Sequence, residues 1–393
     1  MTQSSSIDVR ALALSAHGAL QSGDARTALA LFNEIVARGA ADVLVWLGLA
    51  GAHRQIGDTE AFLAALDTAL GVDPANLRAL LLKGDYFLET GDDQAAVAFY
   101  RSALRAAPAP ERLSAALRSD LQRAQQACEE HGRKYEAFLF DHLTKNGFDP
   151  KRSSRRFAQS VELMMGRREI FYQQPQHFYF PELPQIQFYE PSQFTWLDAV
   201  EAATGDIRAE LQEILRGPQA FAPYVESYRN RPNNDATGTT DNPDWSAFFL
   251  WKGGELVAEN AARCPKTLQA LKDVPLCRIT HRTPSVLFSL LRPGARIPPH
   301  TGMINARLIC HLPLVVPEKC GFRVGNETRA WREGQALVFD DTIEHEAWND
   351  SAELRVVLLF DVWRPELSAE ERALVTATIE AVDAYGKRAH WQD

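Results

Sequence analysis

The chain has 393 residues, enough for two domains or a little more. Its 46% hydrophobic and 24% charged residues are ordinary globular values and exclude a wholly disordered chain, and a net charge of −9 argues against a broad nucleic-acid footprint. Five cysteines without a C-x-x-C pair argue against a disulfide framework or a structural zinc site.

The N-terminal stretch MTQSSSIDVRALAL has no basic region ahead of an apolar core, and no apolar run is long enough to span a bilayer. A cytoplasmic location is the expectation. The dipeptide Gly-Asp then recurs at Gly23, Gly57 and Gly91, a spacing of 34 residues. Glycine at a helix end supplies the left-handed conformation of a tight helix–helix turn. Small residues follow at fixed offsets (Ala28 and Ala96; Ala69 and Ala103), as do the aromatics Phe32 and Tyr100 and the closing Pro74 and Pro108. The pattern resembles tetratricopeptide repeats over about Ile7–Pro108, with Ala40 and Phe62 departing from it. Such arrays bind peptides or stack on another domain.

Residues Glu111–Leu143 read as a helix capping the array, Lys145–Arg156 as a polar linker, and Gln173–Pro191 as an extended segment crowded with Pro, Tyr and Phe. Trp196–Leu215 is helical by period. From about Trp245 strands are predicted at Ser285–Leu291, Ala306–Val316, Ala336–Asp340 and Glu353–Trp363, separated by turn chemistry, so this region is an antiparallel barrel or sandwich. Ser368 caps a last helix to Tyr385, with Glu371 three residues on.

Three residues in the β-rich region belong together: His300 just before a strand, His345 at a loop-to-strand junction, and Arg355 on the following strand. Two imidazoles at a barrel rim can share one metal ion, and imidazole suits iron(II). An inward arginine is a two-pronged donor for a carboxylate. Alternation puts Arg307, Ile309 and His311 on one face of their strand, and Arg355, Val357 and Leu359 on one face of theirs. If both faces point inward, Arg307, His311 and Arg355 line one pocket. The common iron triad has a carboxylate two residues after the first histidine; here that position is Gly302. Asp340 and Asp341 either shape the turn before His345 or orient a ligand.

The stretches S-L-L-R-P-G, P-H-T-G-M-I-N-A-R-L-I-C-H-L, F-D-D-T-I-E-H-E-A-W and L-R-V-V-L-L-F-D-V-W-R-P-E-L resemble the aspartyl/asparaginyl β-hydroxylase family, well over Trp245–Leu367 and more weakly back to about Phe178. That resemblance implies an Fe(II)/2-oxoglutarate-dependent dioxygenase that takes O₂ as co-substrate and hydroxylates the β-carbon of Asp or Asn in a peptide or protein. The family lacks the carboxylate ligand, so Gly302 fits it, with water completing the metal's shell. By resemblance His300 and His345 hold the iron; Ser289 and Arg355 hold the distal carboxylate of 2-oxoglutarate; and His311, with help from Arg307, contacts its other end. Mammalian members often have arginine at the position of Ile309.

The resemblance predicts an α+β multidomain chain: helical repeats with a capping helix over 7–143, a linker over 144–175, a double-stranded β-helix (jelly-roll) oxygenase domain over 176–367 and a C-terminal helix over 368–393. The same chemistry on a lipid acyl chain or small metabolite, and a non-catalytic repeat-based binding protein, are the rival readings.

Overall fold

The computed structural model describes residues 2–217, 221–227 and 238–385. The chain divides into two compact units, Met1–Ala158 and Gln159–Asp393.

The first unit is all helix: α1 (Thr2–Gln21), α2 (Ala25–Ala37), α3 (Val43–Ile56), α4 (Thr59–Val72), α5 (Leu77–Glu89), α6 (Asp93–Ala106) and the long α7 (Ala115–Lys145). The Gly-Asp dipeptides organise it. Gly23, Gly57 and Gly91 have φ of 85°, 79° and 81°, the left-handed turn that other residues resist. The aspartates that follow cap the next helix: Asp24, Asp58 and Asp92 accept from the backbone N–H of Thr27, Ala61 and Ala95. One dipeptide therefore ends one helix and starts another. Phe32 of α2 packs flat against Gly48 of α3, and Tyr100 of α6 against Gly84 of α5; a Cβ at either glycine would overlap the ring. Phe62, at the irregular position, is buried beside Tyr86.

The stretch expected to be a linker, 144–175, instead contains α8 (Arg155–Met164), and the border between the two units falls within it. Its apolar residues Phe157 and Val161 lie one turn apart among arginines and polar residues, which masks the helical period in the sequence.

In the second unit, α9 (Leu197–Ala202) and α10 (Thr204–Arg216) precede the strands β1 (Ala222–Pro223), β2 (Trp245–Lys252) and β3 (Glu255–Leu256), and the short helices α11 (Ala258–Ala261) and α12 (Pro265–Ala270). Eight strands follow: β4 (Val286–Leu291), β5 (Arg296–His300), β6 (Arg307–Val315), β7 (Cys320–Val324), β8 (Glu327–Ala330), β9 (Leu337–Phe339), β10 (His345–Asn349) and β11 (Arg355–Trp363). They form two sheets, β1-β2-β4-β11-β6-β9 (with β3 on β2) and β5-β10-β7-β8, whose neighbouring strands run antiparallel. Along the chain β4 to β11 pass back and forth between the two sheets, which is the winding of a double-stranded β-helix.

The large sheet is covered on both faces. Leu308, Cys310, Leu312, Val356, Leu358 and Phe360 point outward onto Leu197, Val200, Ile207 and Leu211 of α9 and α10. Ile309, Val357 and Leu359 point inward among Ile297, Phe322, Phe339 and Ala347 of the barrel interior. Burial of both faces explains why β6 and β11 read as unbroken apolar runs. The Pro- and aromatic-rich segment is extended, as expected, and runs along the barrel: Gln174 N–H donates to the Thr342 carbonyl, Gln176 to Gly302, and His177 to Met303. The C-terminal helix α13 (Ala369–Tyr385) starts on the expected capping box, Ser368 N–H to Glu371 and Glu371 N–H to Ser368 Oγ; residues 386–393 of the expected helix lie outside the described residues.

Candidate active site

The barrel interior opens into a pocket lined by every residue singled out above: Ser289, His300, Arg307, His311, His345 and Arg355. Five strands, β4, β5, β6, β10 and β11, deliver them. Arg307, Ile309 and His311 share the inward face of β6, and Arg355 and Leu359 that of β11. Ser289 lies on β4 opposite Val357, diagonal to Arg355.

His300 closes β5 and does not precede a strand as expected. It is the cross-strand partner of His345, the first residue of β10. The two rings therefore face each other, with centroids 4.1 Å apart. Pro298 and Pro299 are accommodated because β5 is an edge strand, where a missing N–H breaks no ladder. Each ring is set by its own backbone: His300 Nδ1 lies 2.8 Å from the Pro298 carbonyl and His345 Nδ1 3.1 Å from the Ile343 carbonyl. A carbonyl only accepts, so each Nδ1 carries the proton and each Nε2 keeps its lone pair. Burial pushes both pKa values down, that of His345 well below the usual range with the neighbouring His300 adding to the effect. Both imidazoles are neutral at pH 7 and ready to ligate.

Gly302 lies against the pair. A Cβ there would overlap the carboxylate of Asp341, whose own carbonyl accepts the Gly302 N–H at 2.7 Å. The space that a side chain at position 302 would need is thus filled from the other rim of the barrel. Among the described residues no group of three or more His, Cys, Asp or Glu is arranged to hold a metal.

Arg355 is 1% exposed, and its Nε and one Nη have no protein partner among the described residues. Its cation stands over the Trp331 ring at 5.5 Å, and burial pushes its pKa down to about 10. A buried guanidinium with unused donors is a site built for an anion. Ser289 accepts from the Trp245 indole N–H at 3.3 Å. His311 stacks on Trp331 and meets Phe322 at a tilt and Phe339 edge-on, with burial and then Arg355 holding its pKa well down; its Nδ1 has no protein partner among the described residues. Arg307 differs: it donates to Asp361 at 2.9 Å and Asp341 at 3.1 Å. It holds acidic side chains in place, and sequence reasoning missed Asp361, although β11 alternation puts it on the inward face with Arg355 and Leu359. Trp245 and Tyr224, stacked at 4.3 Å, also line the pocket.

The loop that presents Asp341 and His345 is tied down from beneath. Asp340 and Arg364, both 0% exposed, form an ion pair. Thr342 donates to Asp340 through its N–H at 3.0 Å and its hydroxyl at 2.6 Å, and Gln173 through Nε2 at 2.7 Å. Asn305 in turn donates to Gln173 at 2.9 Å. The extended segment is therefore bolted both to the loop after His300 and to the loop before His345.

Residues 201–365 match the family model described as Aspartyl/Asparaginyl beta-hydroxylase, and residues 14–70 and 63–109 match the tetratricopeptide repeat model. The chain is 43% identical over 136 residues to the human protein named Aspartyl/asparaginyl beta-hydroxylase, covering 34% of this chain and 18% of that one. It is 34% identical over 180 residues to Ornithine lipid ester-linked acyl 2-hydroxylase of Rhizobium tropici, covering 45% of this chain and 60% of the relative. It is 32% identical over 205 residues to human Aspartate beta-hydroxylase domain-containing protein 2, covering 51% and 53%. The chain thus spans between about a fifth and three fifths of these relatives' own lengths.

Proposed function

With tetratricopeptide repeats followed by an aspartyl/asparaginyl β-hydroxylase domain at residues 201–365, we propose that the chain is an Fe(II)- and 2-oxoglutarate-dependent dioxygenase acting on a peptide or protein. The observation that carries the reading is the pairing of His300 with His345, two backbone-oriented neutral imidazoles 4.1 Å apart, in one pocket with a buried Arg355 that has unused donors.

His300 and His345 would hold the iron through Nε2. Bound there, the metal would supply the oxidising chemistry, in which O₂ is consumed, 2-oxoglutarate is converted to succinate and CO₂, and one oxygen atom enters a substrate C–H bond. Arg355, with Ser289 beside it, would take the far carboxylate of 2-oxoglutarate, and neutral His311 would meet its metal-proximal end. Asp341, held by Arg307, occupies the space of the missing third protein ligand and is placed to orient what fills that side of the site. The aromatic walls exclude bulk water, which strengthens each of these polar contacts. The chain's residues thereby bind and orient; the hard chemistry belongs to the cofactor.

The β-carbon of Asp or Asn is the proposed target, on the strength of the human relative's name, and the repeats would engage the peptide or protein that carries it. Hydroxylation of an acyl chain is the second reading, favoured by the name of the Rhizobium relative. Among the described residues no helix is long and apolar enough to cross a membrane. Mass spectrometry of peptides and lipids incubated with the iron- and 2-oxoglutarate-supplied chain tests the proposal. Gain of one oxygen atom on a peptide supports it. Gain on acyl chains alone supports the second reading, and no 2-oxoglutarate-dependent product at all rejects both.

A further inference from the structure

The charges lining the pocket already cancel. Among the described lining residues, the cations are Arg307 and Arg355 and the anions are Asp341 and Asp361, while the three histidines are neutral. Arg307 is engaged by both carboxylates. Arg355 has donors to spare, and on the reading above 2-oxoglutarate takes them. Iron and 2-oxoglutarate bring two positive and two negative charges, so the loaded pocket is again balanced. A further carboxylate entering it would meet no uncommitted cation.

The inward position on β6 between Arg307 and His311 is Ile309, and its cross-strand partner on β11 is Asp361. A substrate carboxylate at this wall would therefore lie beside like charge and apolar surface, both of which disfavour it. A carboxamide of the same shape carries no charge, and its NH₂ is a donor of the kind that Asp341 and Asp361 attract. We infer that the pocket selects an uncharged acceptor, so that within a peptide it takes asparagine over aspartate. The inference rests on the hydroxylase reading of this site and narrows its substrate.

The test uses the full chain, immobilised and loaded with Mn(II) and 2-oxoglutarate. It is exposed to a pool of peptides that differ only at a central Asp, Asn or Ala, and the retained peptides are counted by mass spectrometry. Retention of Asn over Asp by about tenfold, the worth of roughly one charge-assisted contact, is the expected result. Ile309→Arg should raise Asp retention by a similar factor, and the uncharged Ile309→Gln should not; the repeats contribute equally to all three proteins. Asp retained as well as Asn, or no preference for either over Ala, overturns the inference. With Fe(II) and O₂ in place of Mn(II), oxygenation of the acyl chains of added phospholipid vesicles without any peptide preference also overturns it. Calorimetric titration with 2-oxoglutarate is run alongside. Failure of the Mn(II)-loaded wild type to bind 2-oxoglutarate defeats the underlying reading instead, and is distinguishable from a wrong acceptor preference.

Discussion

Replacing Arg355 by methionine separates a residue kept for a ligand from one kept for the fold. Burial pushes the pKa of this guanidinium down to about 10, which corresponds to a charging cost of about 3 kcal/mol. No ion pair involving Arg355 is found among the described residues, so the protein itself does little to offset that cost. Methionine retains most of the volume and removes the charge. Removing an uncompensated buried charge relieves strain, so the ligand-free Arg355→Met chain should melt at the same temperature as the wild type or higher. Binding of 2-oxoglutarate should move the other way. Loss of a buried carboxylate partner costs about 2–5 kcal/mol, a weakening of about thirtyfold to several thousandfold. Metal affinity should change little, since His300 and His345 hold their orientation through their own carbonyls. Calorimetry with Mn(II), followed by 2-oxoglutarate, reads the two affinities separately, and scanning calorimetry reads stability. An unchanged affinity for 2-oxoglutarate would refute the assigned role; a strongly lowered melting temperature would show that the fold depends on the cation.

Other sites give sharper local tests. Gly302→Asp, which restores a carboxylate where the common iron triad has one, should destabilise the chain and weaken metal binding because Asp341 occupies the space; adding Asp341→Gly should recover much of the loss, and a neutral single variant would contradict the packing. Gly48→Ala should cost about 1–3 kcal/mol in the thermal transition of the repeats by overpacking Phe32, with Phe32→Leu restoring most of it. Arg364→Met leaves Asp340 buried without its ion partner and should cost about 3–5 kcal/mol in urea unfolding, with weaker Mn(II) binding through the loosened His345 loop. His300, His311 and His345 all have folded-state pKa values below the ordinary 6.5, so below that pH the unfolded chain binds more protons than the folded one. Stability of the metal-free chain is therefore full above about pH 6.5 and falls as the pH drops, by up to about 1.4 kcal/mol per pH unit for each histidine; a flat urea midpoint across that range would contradict their neutral burial.

The sequence was most legible where one physical requirement acts alone. The Gly-Asp spacing marks a turn that needs positive φ, and it located the α1–α2, α3–α4 and α5–α6 turns at Gly23, Gly57 and Gly91. The strands β4, β6, β9 and β11 were readable because burial on both faces demands apolar residues throughout. The second sheet was much less so. β5, β7 and β8 were not among the expected strands: β5 contains two prolines, and a propensity pattern cannot see edge position or hairpin pairing. Within the site, alternation correctly put Arg307, Ile309 and His311 on one inward face. Alternation could not reveal that Arg307 is engaged by Asp341 and Asp361, since those contacts join residues 34 and 54 positions apart. The clash between position 302 and Asp341 was equally invisible, because it depends on how two loops meet in space. The helix within the expected linker was missed because its short apolar stripe is set among arginines.

The account stands or falls on whether the paired histidines support turnover of 2-oxoglutarate. Succinate formation should be measured for the full chain supplied with Fe(II), O₂ and 2-oxoglutarate, next to folded His300→Ala and His345→Ala variants. The account predicts succinate from the wild type and none above background from either variant. Equal succinate from the wild type and the His345→Ala variant would contradict it.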